Sequence, residues 1–393
     1  MKRLFNSPTF SVILFLGIVI SAIVYFSRAH VFQFIQQTSE SKTTQLITSD
    51  TLHFATWPEY FYPKFLSEIE SDLDITIQLT LFHTNEELYD LIVSGKKFDV
   101  IMPTDYLVEK LVSEDIIKPF DHRLLSNYEK IDSRFKDLEY DYFNRYSIPY
   151  FWGVVGLMYN NNQVVNIPNN WPSAGDSTLL RSYINRFSIL DDPRVSLGIA
   201  LINLGYSPNT TNVDEIKQAA NFLIKSLPII GIVRSDGLQE SFLNEDIYFG
   251  VNWSGSAGKL SSIQPNFRFL LPPKGSLFFV DNFAIPTTSR QDSLAYRLID
   301  YLLNPRVAAK ITNENYFANT VSDSRRYIDR MILKGPSYTN PFFSTNMYTI
   351  KELGETDIVY IQEWERFKIA YQTFKSANQF NSPEDNKDKM IIY

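Results

Sequence analysis

The chain has 393 residues and not one cysteine. Disulfide frameworks, zinc–thiolate and iron–sulfur sites, a cysteine nucleophile and a lipid anchor on an N-terminal cysteine are thereby excluded. The absence suits an oxidising compartment without demanding one. Histidine is scarce, at His30, His53, His83 and His122 only. No two of them lie four residues apart, so no HExxH metal helix exists. No GxSxG elbow and no GxxxxGK phosphate loop accompany them. Hydrolytic and nucleotide-driven chemistry therefore lack their usual residues, and no cofactor or metal motif is present.

An excess of positive charge is also missing. The formal net charge is −7, and residues 1–30 hold Lys2, Arg3 and Arg28 with no acid, so the rest is more acidic still. A nucleic-acid partner would call for a basic patch. An acidic body instead permits attraction of cations. Hydrophobic residues make up 44% and charged residues 21%, an ordinary globular balance that rules out disorder for most of the chain. The length fits two domains or one large one. Aromatics reach 15%, which serves a core and equally a cage for organic cations.

There is one long uncharged run, Phe10 to Phe26, behind Lys2 and Arg3. This is the layout of an export signal. Ser27-Arg28-Ala29 could serve as a cleavage site, but an uncleaved signal anchor is the favoured reading of 1–30. Residues 31–50, rich in Gln, Ser and Thr, read as a polar tether. Either fate places the body in the periplasm or otherwise outside the cytoplasm, with 10–26 as its anchor to the inner membrane if uncleaved.

Beyond residue 50 strands alternate with helices. Strands are expected at 52–55, 75–82, 98–102, 150–159, up to 191, 247–253 and 276–285. Helices are expected at 62–69, 85–93, 107–113, 192–204, 213–227, 292–303 and 358–374. Asp192-Pro193 with Gly205 beyond is the grammar of a capped helix start and a glycine stop. The rhythm predicts an α/β fold with mostly parallel sheets. The apolar runs at 150 and 276 are read as strands crossing between two lobes. The expected division is 51–154 with 281–325 as lobe 1, 155–280 with 326–375 as lobe 2, and a polar, frayed tail over 376–393.

In open α/β sheets ligands bind beyond the carboxyl ends of strands. Those positions carry Thr56-Trp57-Pro58-Glu59-Tyr60, Pro103-Thr104-Asp105-Tyr106, Asp192, Asn252-Trp253-Ser254-Gly255 and, within the last run, Phe279 and Asp281. Aromatics and carboxylates dominate, without His, Lys or Arg. Carboxylates accept charge-assisted hydrogen bonds from ammonium groups, and aromatic faces attract the same cations. No base, nucleophile and oxyanion donor converge, so catalysis is not indicated.

At this point the sequence resembles the periplasmic spermidine/putrescine-binding proteins of polyamine ABC transporters, within the bacterial extracellular solute-binding family. The resemblance rests on TWPEY (56–60), FDVIMPTDYLVEKL (98–111), SIPYFWG (147–153), LGYSPNTT (204–211), NWSGSA (252–257), VDNFAIP (280–286) and YLLNPRVA (301–308), in order across about 50–375. It implies a periplasmic-binding-protein type II fold: two lobes that close on a polyamine and deliver it to ABC permease subunits. It implies ligand-binding roles for Trp57, Glu59, Tyr60, Thr104, Tyr106, Asp192, Trp253, Phe279, Asp281 and Phe317, with Asp281 as the acid that holds an amine. Two departures stand out. Val195 occupies the place of a second carboxylate, and ungapped spacing puts Phe317, rather than Tyr316, where a tyrosine is expected. Asp105 reads as a helix-start acid that could replace the missing carboxylate, and Trp152 as hinge packing. Three acids and Phe279 favour a short diamine such as putrescine. The alternatives are the same fold carrying another organic cation, or a membrane-anchored polyamine sensor. A monomer is the default.

Overall fold

The computed structural model describes residues 50–165, 171–172, 182–341 and 346–379. The expected anchor at 10–26, the tether, and the tail beyond 379 lie outside the described residues. Among the described residues no helix is long and apolar enough to cross a membrane.

The chain enters at β1 (Thr51–Thr56), then α1 (Pro63–Leu73), β2 (Thr76–Leu81), α2 (Asn85–Val93), β3 (Val100–Ile101) and α3 (Asp105–Ser113). Strands β2, β1 and β3 form a parallel sheet in that order. The expected strand at 98–102 shrinks to two paired residues, because Pro103 has no N–H to extend the ladder. The apolar faces of this sheet bury separate clusters: Leu52, Phe54 and Val100 on one side, Ala55 and Ile101 on the other.

Strand β4 (Ile148–Asn160) is the longest, and its side chains change core partway. Ile148 through Val154 pack with the first lobe, whereas Val155, Leu157 and Met158 pack with the second. The second lobe continues with β5 (Phe187–Ile189), α4 (Pro193–Leu204), α5 (Val213–Lys225), β6 (Ile230–Val233), α6 (Leu238–Leu243), β7 (Phe249–Trp253), α7 (Ser254–Ile263) and β8 (Phe267–Leu270). Then β9 (Ser276–Phe283) returns antiparallel to β4. Its packing passes from the second core to the first between Leu277 and Phe278. The sheet runs β9-β4-β7-β5-β6, with β5 parallel to both β6 and β7. Beyond β9 come α8 (Asp292–Leu302), α9 (Pro305–Asn315), β10 (Ala318–Asn319), α10 (Arg330–Lys334), β11 (Met347–Thr349) and α11 (Asp357–Gln379). The isolated bridge Ile101–Ala284 ties β3 to the chain after β9. Ile328 and Ile332 pack on Ala309 of α9.

Helix caps follow the sequence closely. Asp192 caps α4 and Gly205 ends it in the left-handed region, at φ 88°. Asn212 caps α5 through the Asp214 amide. Three elements differ from the expectation. Ser254–Ile263 is a helix although Ser-Gly-Ser reads as a turn. Pro305 opens α9 rather than merely stopping α8, since proline fits the first helical turn. The helix expected at 358–374 continues through Gln379, four residues into the segment expected to fray.

Candidate functional site

The crossing of β4 and β9 leaves a cavity of about 800 Å³, mouth included, between the lobes. That lies in the range of small-molecule sites. All ten residues singled out from the sequence line it. Trp152 does not, and its indole donates to the Asn319 carbonyl at 3.1 Å within the hinge.

The walls are aromatic. The Trp57 indole donates to the Met102 carbonyl at 2.9 Å and its ring lies 4.5 Å from Phe82, which fixes it at the end of β1. Trp253, from the end of β7, donates to the Ser235 carbonyl at 3.2 Å and meets Phe279 edge-on at 5.1 Å. Phe317, not Tyr316, lines the cavity; its ring meets Tyr60 edge-on at 4.7 Å. Tyr316 caps α9 at φ 68° and packs beside the Ala309 cluster. Two glycines admit these rings. A Cβ at Gly153 would overlap Phe279, and one at Gly255 would overlap Phe317.

The floor carries Asp281, 2% exposed. The Thr104 hydroxyl donates to its Oδ1 at 2.7 Å and the Tyr60 hydroxyl donates to its Oδ2. Thr104 stands at the head of α3 without capping it, because its hydroxyl faces Asp281. The Thr104 amide donates to Asn85 Oδ1 at 3.1 Å, which holds this turn. Asp281 has no Lys, Arg or His partner among the described residues. Burial pushes its carboxyl up to about 7, against the pull of the two hydroxyls.

The opposite wall holds Asp192, whose carboxylate accepts from the Val195 amide at 2.8 Å. Burial, then the charge of Glu86, raise it to about 7, while Arg194 acts the other way. Arg194 is 1% exposed and ion-paired to Asp357. Its guanidinium lies 4.6 Å over Tyr360 and 5.6 Å over Tyr106. Tyr106, on α3, donates to Glu86 Oε1 at 3.1 Å and packs with the second lobe's core. Val195 is buried and lines the cavity, contributing no polar atom.

At the mouth, Glu59 holds a left-handed backbone at φ 66°, a conformation few non-glycine residues adopt. It accepts from the Ser256 hydroxyl at 3.2 Å and, at 3.4 Å, from the Gly237 amide. His83 Nδ1 lies 3.2 Å from Asp236 Oδ2. His83, Asn85, Ser235 and Asp236 line the cavity and were missed from the sequence; Ser256, just after Trp253, lines it too. His83 and Asn85 follow β2, so the strand-end rule reaches them. Ser235 and Asp236 follow β6, a strand of four residues too short to announce itself.

Comparison with known proteins agrees. Residues 86–330 match the family model of the bacterial extracellular solute-binding proteins. The spermidine/putrescine-binding periplasmic protein 1 of Haemophilus influenzae is 27% identical over 340 residues, covering 84% of this chain and 92% of the relative. The spermidine/putrescine-binding periplasmic protein of Salmonella typhimurium is 30% identical over 265 residues, covering 67% and 75%. Among solved structures, the spermidine/putrescine ABC transporter substrate-binding protein PotD of Streptococcus pneumoniae superposes with a TM-score of 0.67 at 25% identity, covering 82% of this chain and all of that one. The fold is that of the type II periplasmic binding proteins, and the chain belongs to the bacterial extracellular solute-binding protein family.

Proposed function

We propose that this protein captures a polyamine, putrescine or spermidine, in the interlobe cleft and delivers it to an ABC permease from outside the cytoplasm. The observation that carries this reading is Asp281. A carboxylate buried this deeply costs several kcal/mol unless a cation or a proton compensates it, and among the described residues its side-chain partners are two hydroxyls. An ammonium group supplies the missing charge together with three N–H donors. Trp57, Tyr60, Trp253, Phe279 and Phe317 would cover the methylenes between the amines.

In this reading Asp281 holds one ammonium, and Asp192 with Tyr106 faces the other. Glu59 carries a share of the closure between lobes as well as negative potential at the mouth. Closure would be rotation about β4 and β9. The lobes are taken as 51–154 with 281–325 and 155–280 with 326–375; the packing on Ala309 draws 326–338 towards the first. Anchoring by residues 10–26 and a monomeric state belong to the same proposal, as does the absence of catalysis. Val195 motivates one second reading, a different small organic cation needing fewer carboxylates, which the polyamine-binding relatives do not favour.

A thermal-shift panel of putrescine, cadaverine, spermidine, spermine, arginine and a non-amine diol on the full-length protein separates the two readings. A stabilisation confined to the aliphatic polyamines supports the first. Stabilisation by arginine alone supports the second, and a flat panel rejects both.

A further inference from the structure

Asp105 is a third buried carboxylate in this cavity, beside Asp281 and Asp192, and the amine-binding reading above leaves it without a role. It opens α3 beside the Thr104–Asp281 bridge, lines the cavity and is 2% exposed. The Tyr106 amide donates to its Oδ1 at 2.8 Å and the Val280 amide also bears on the carboxylate, but Oδ2 has no partner in hydrogen-bond geometry. An acid that merely favoured the start of α3 would do so from solvent, ionised. The titratable groups around the Asp105–Asp281 pair are Glu109 on the same helix, Tyr140, Asp141, Tyr60 and, beyond it, Glu59. Tyr140 donates to Asn282 Oδ1 at 2.9 Å and so gives nothing to Asp105. None of these groups is a cation. Two neighbouring carboxylates in such surroundings do not both ionise without one. Burial and the charge of Asp281 push Asp105 well above the usual carboxylate range.

Resting on the amine-binding reading above, we infer that Asp105 is a further ammonium-binding carboxylate of the cleft, sharing one ammonium with Asp281. It is protonated while the cavity is empty, and it gives that proton to solvent when a primary ammonium docks between it and Asp281. The balance is simple: one ammonium enters, one proton leaves to the buffer, and no bond of the amine breaks. The orphaned Oδ2 gains an N–H donor. The carboxylate lost at Val195 is thus made up from the other lobe, and amine capture is coupled to proton release.

The test is calorimetric titration of the full-length protein with putrescine at pH 8, in two buffers of different ionisation enthalpy. The difference in heat counts protons. Burial lifts Asp281 and Asp192 to about 7, so at pH 8 both are already largely ionised, and a proton release well beyond their small share reports ionisation of Asp105. Asp105→Asn mimics the protonated acid. It should fold and melt like the parent, bind putrescine at least about tenfold more weakly, and release almost no proton at this pH. A parent that binds putrescine without releasing protons at pH 8, or an Asp105→Asn variant that keeps the parent's affinity, overturns the role of Asp105 alone. Should the variant fail to fold, the parent's proton count decides by itself. A parent that binds neither putrescine nor spermidine overturns the amine reading and this inference with it.

Discussion

Asp281 and Asp192 are both buried, both titrate near 7, and face one cleft from opposite lobes, yet their surroundings differ in kind. Asp192 has a structural occupation: it caps α4, and Arg194, two residues on, tempers its charge. Among the described residues Asp281 has neither a capping task nor a counter-charge, only hydroxyls that keep both its oxygens oriented. A buried acid whose neighbours orient it without neutralising it is built for a partner that arrives later. One that caps a helix would be needed in an empty protein too. The contrast explains why the same pair of residue types should not contribute equally to binding.

The sharpest way to break the comparison is to neutralise each acid in turn. Asp281→Asn should weaken putrescine about 100-fold or more, the scale of removing one partner of a buried, hydrogen-bonded charge pair. At pH 8 it should leave the empty protein at least as stable as the parent. Asp192→Asn keeps a capping side chain and should weaken binding only about tenfold; both effects are read by titration calorimetry. Asp192→Ala should in addition cost about 1 kcal/mol of stability in urea unfolding, because the cap is lost. Equal losses at the two positions would remove the distinction.

Lowering the pH probes both acids together. Their folded pKa values lie near 7, above the unfolded value near 4. The folded, empty protein therefore binds protons that the unfolded chain does not between those limits. The contribution of these two acids to stability is therefore full below about 4 and is lost as pH rises through about 7. Amine affinity should run the other way, falling about tenfold per pH unit below 7 for each proton the ligand displaces. Melting temperatures with and without putrescine from pH 5 to 8 display the two trends.

The walls give the smallest effects. Trp253→Ala should cost 2- to 30-fold in affinity, the range of one cation–π contact. Gly255→Ala forces a methyl group against Phe317 and should cost about 1–3 kcal/mol of stability through overpacking, with a modest loss of affinity. Those losses are measured by the same titrations and by urea unfolding.

Much of this was legible in the residues. Trp57, Thr104, Asp192 and Trp253 stand just past strands whose apolar runs are plain, and Asp192-Pro193 declares a helix start without any tertiary information. Ungapped spacing selects Phe317 over Tyr316, and Phe317 is the one of the two that lines the cavity. What stayed hidden depends on approach between distant segments. Gly255 reads as a turn residue, but in α7 it is the small residue that lets Phe317 lie close. Asp105 resembles any acid at a helix N-terminus until the fold buries it beside Asp281. The missing counter-charge on Asp281 is itself a property of the whole lobe. No spacing rule could exclude an arginine arriving from elsewhere in the chain, as Arg194 does for Asp357.

The most direct test is calorimetric titration of the full-length protein with putrescine and spermidine, alongside Asp281→Asn and a diol of matched length. The account predicts saturable binding of an amine at one site, abolished or weakened about 100-fold by the substitution, and no heat with the diol. Amine binding that Asp281→Asn leaves intact would contradict it.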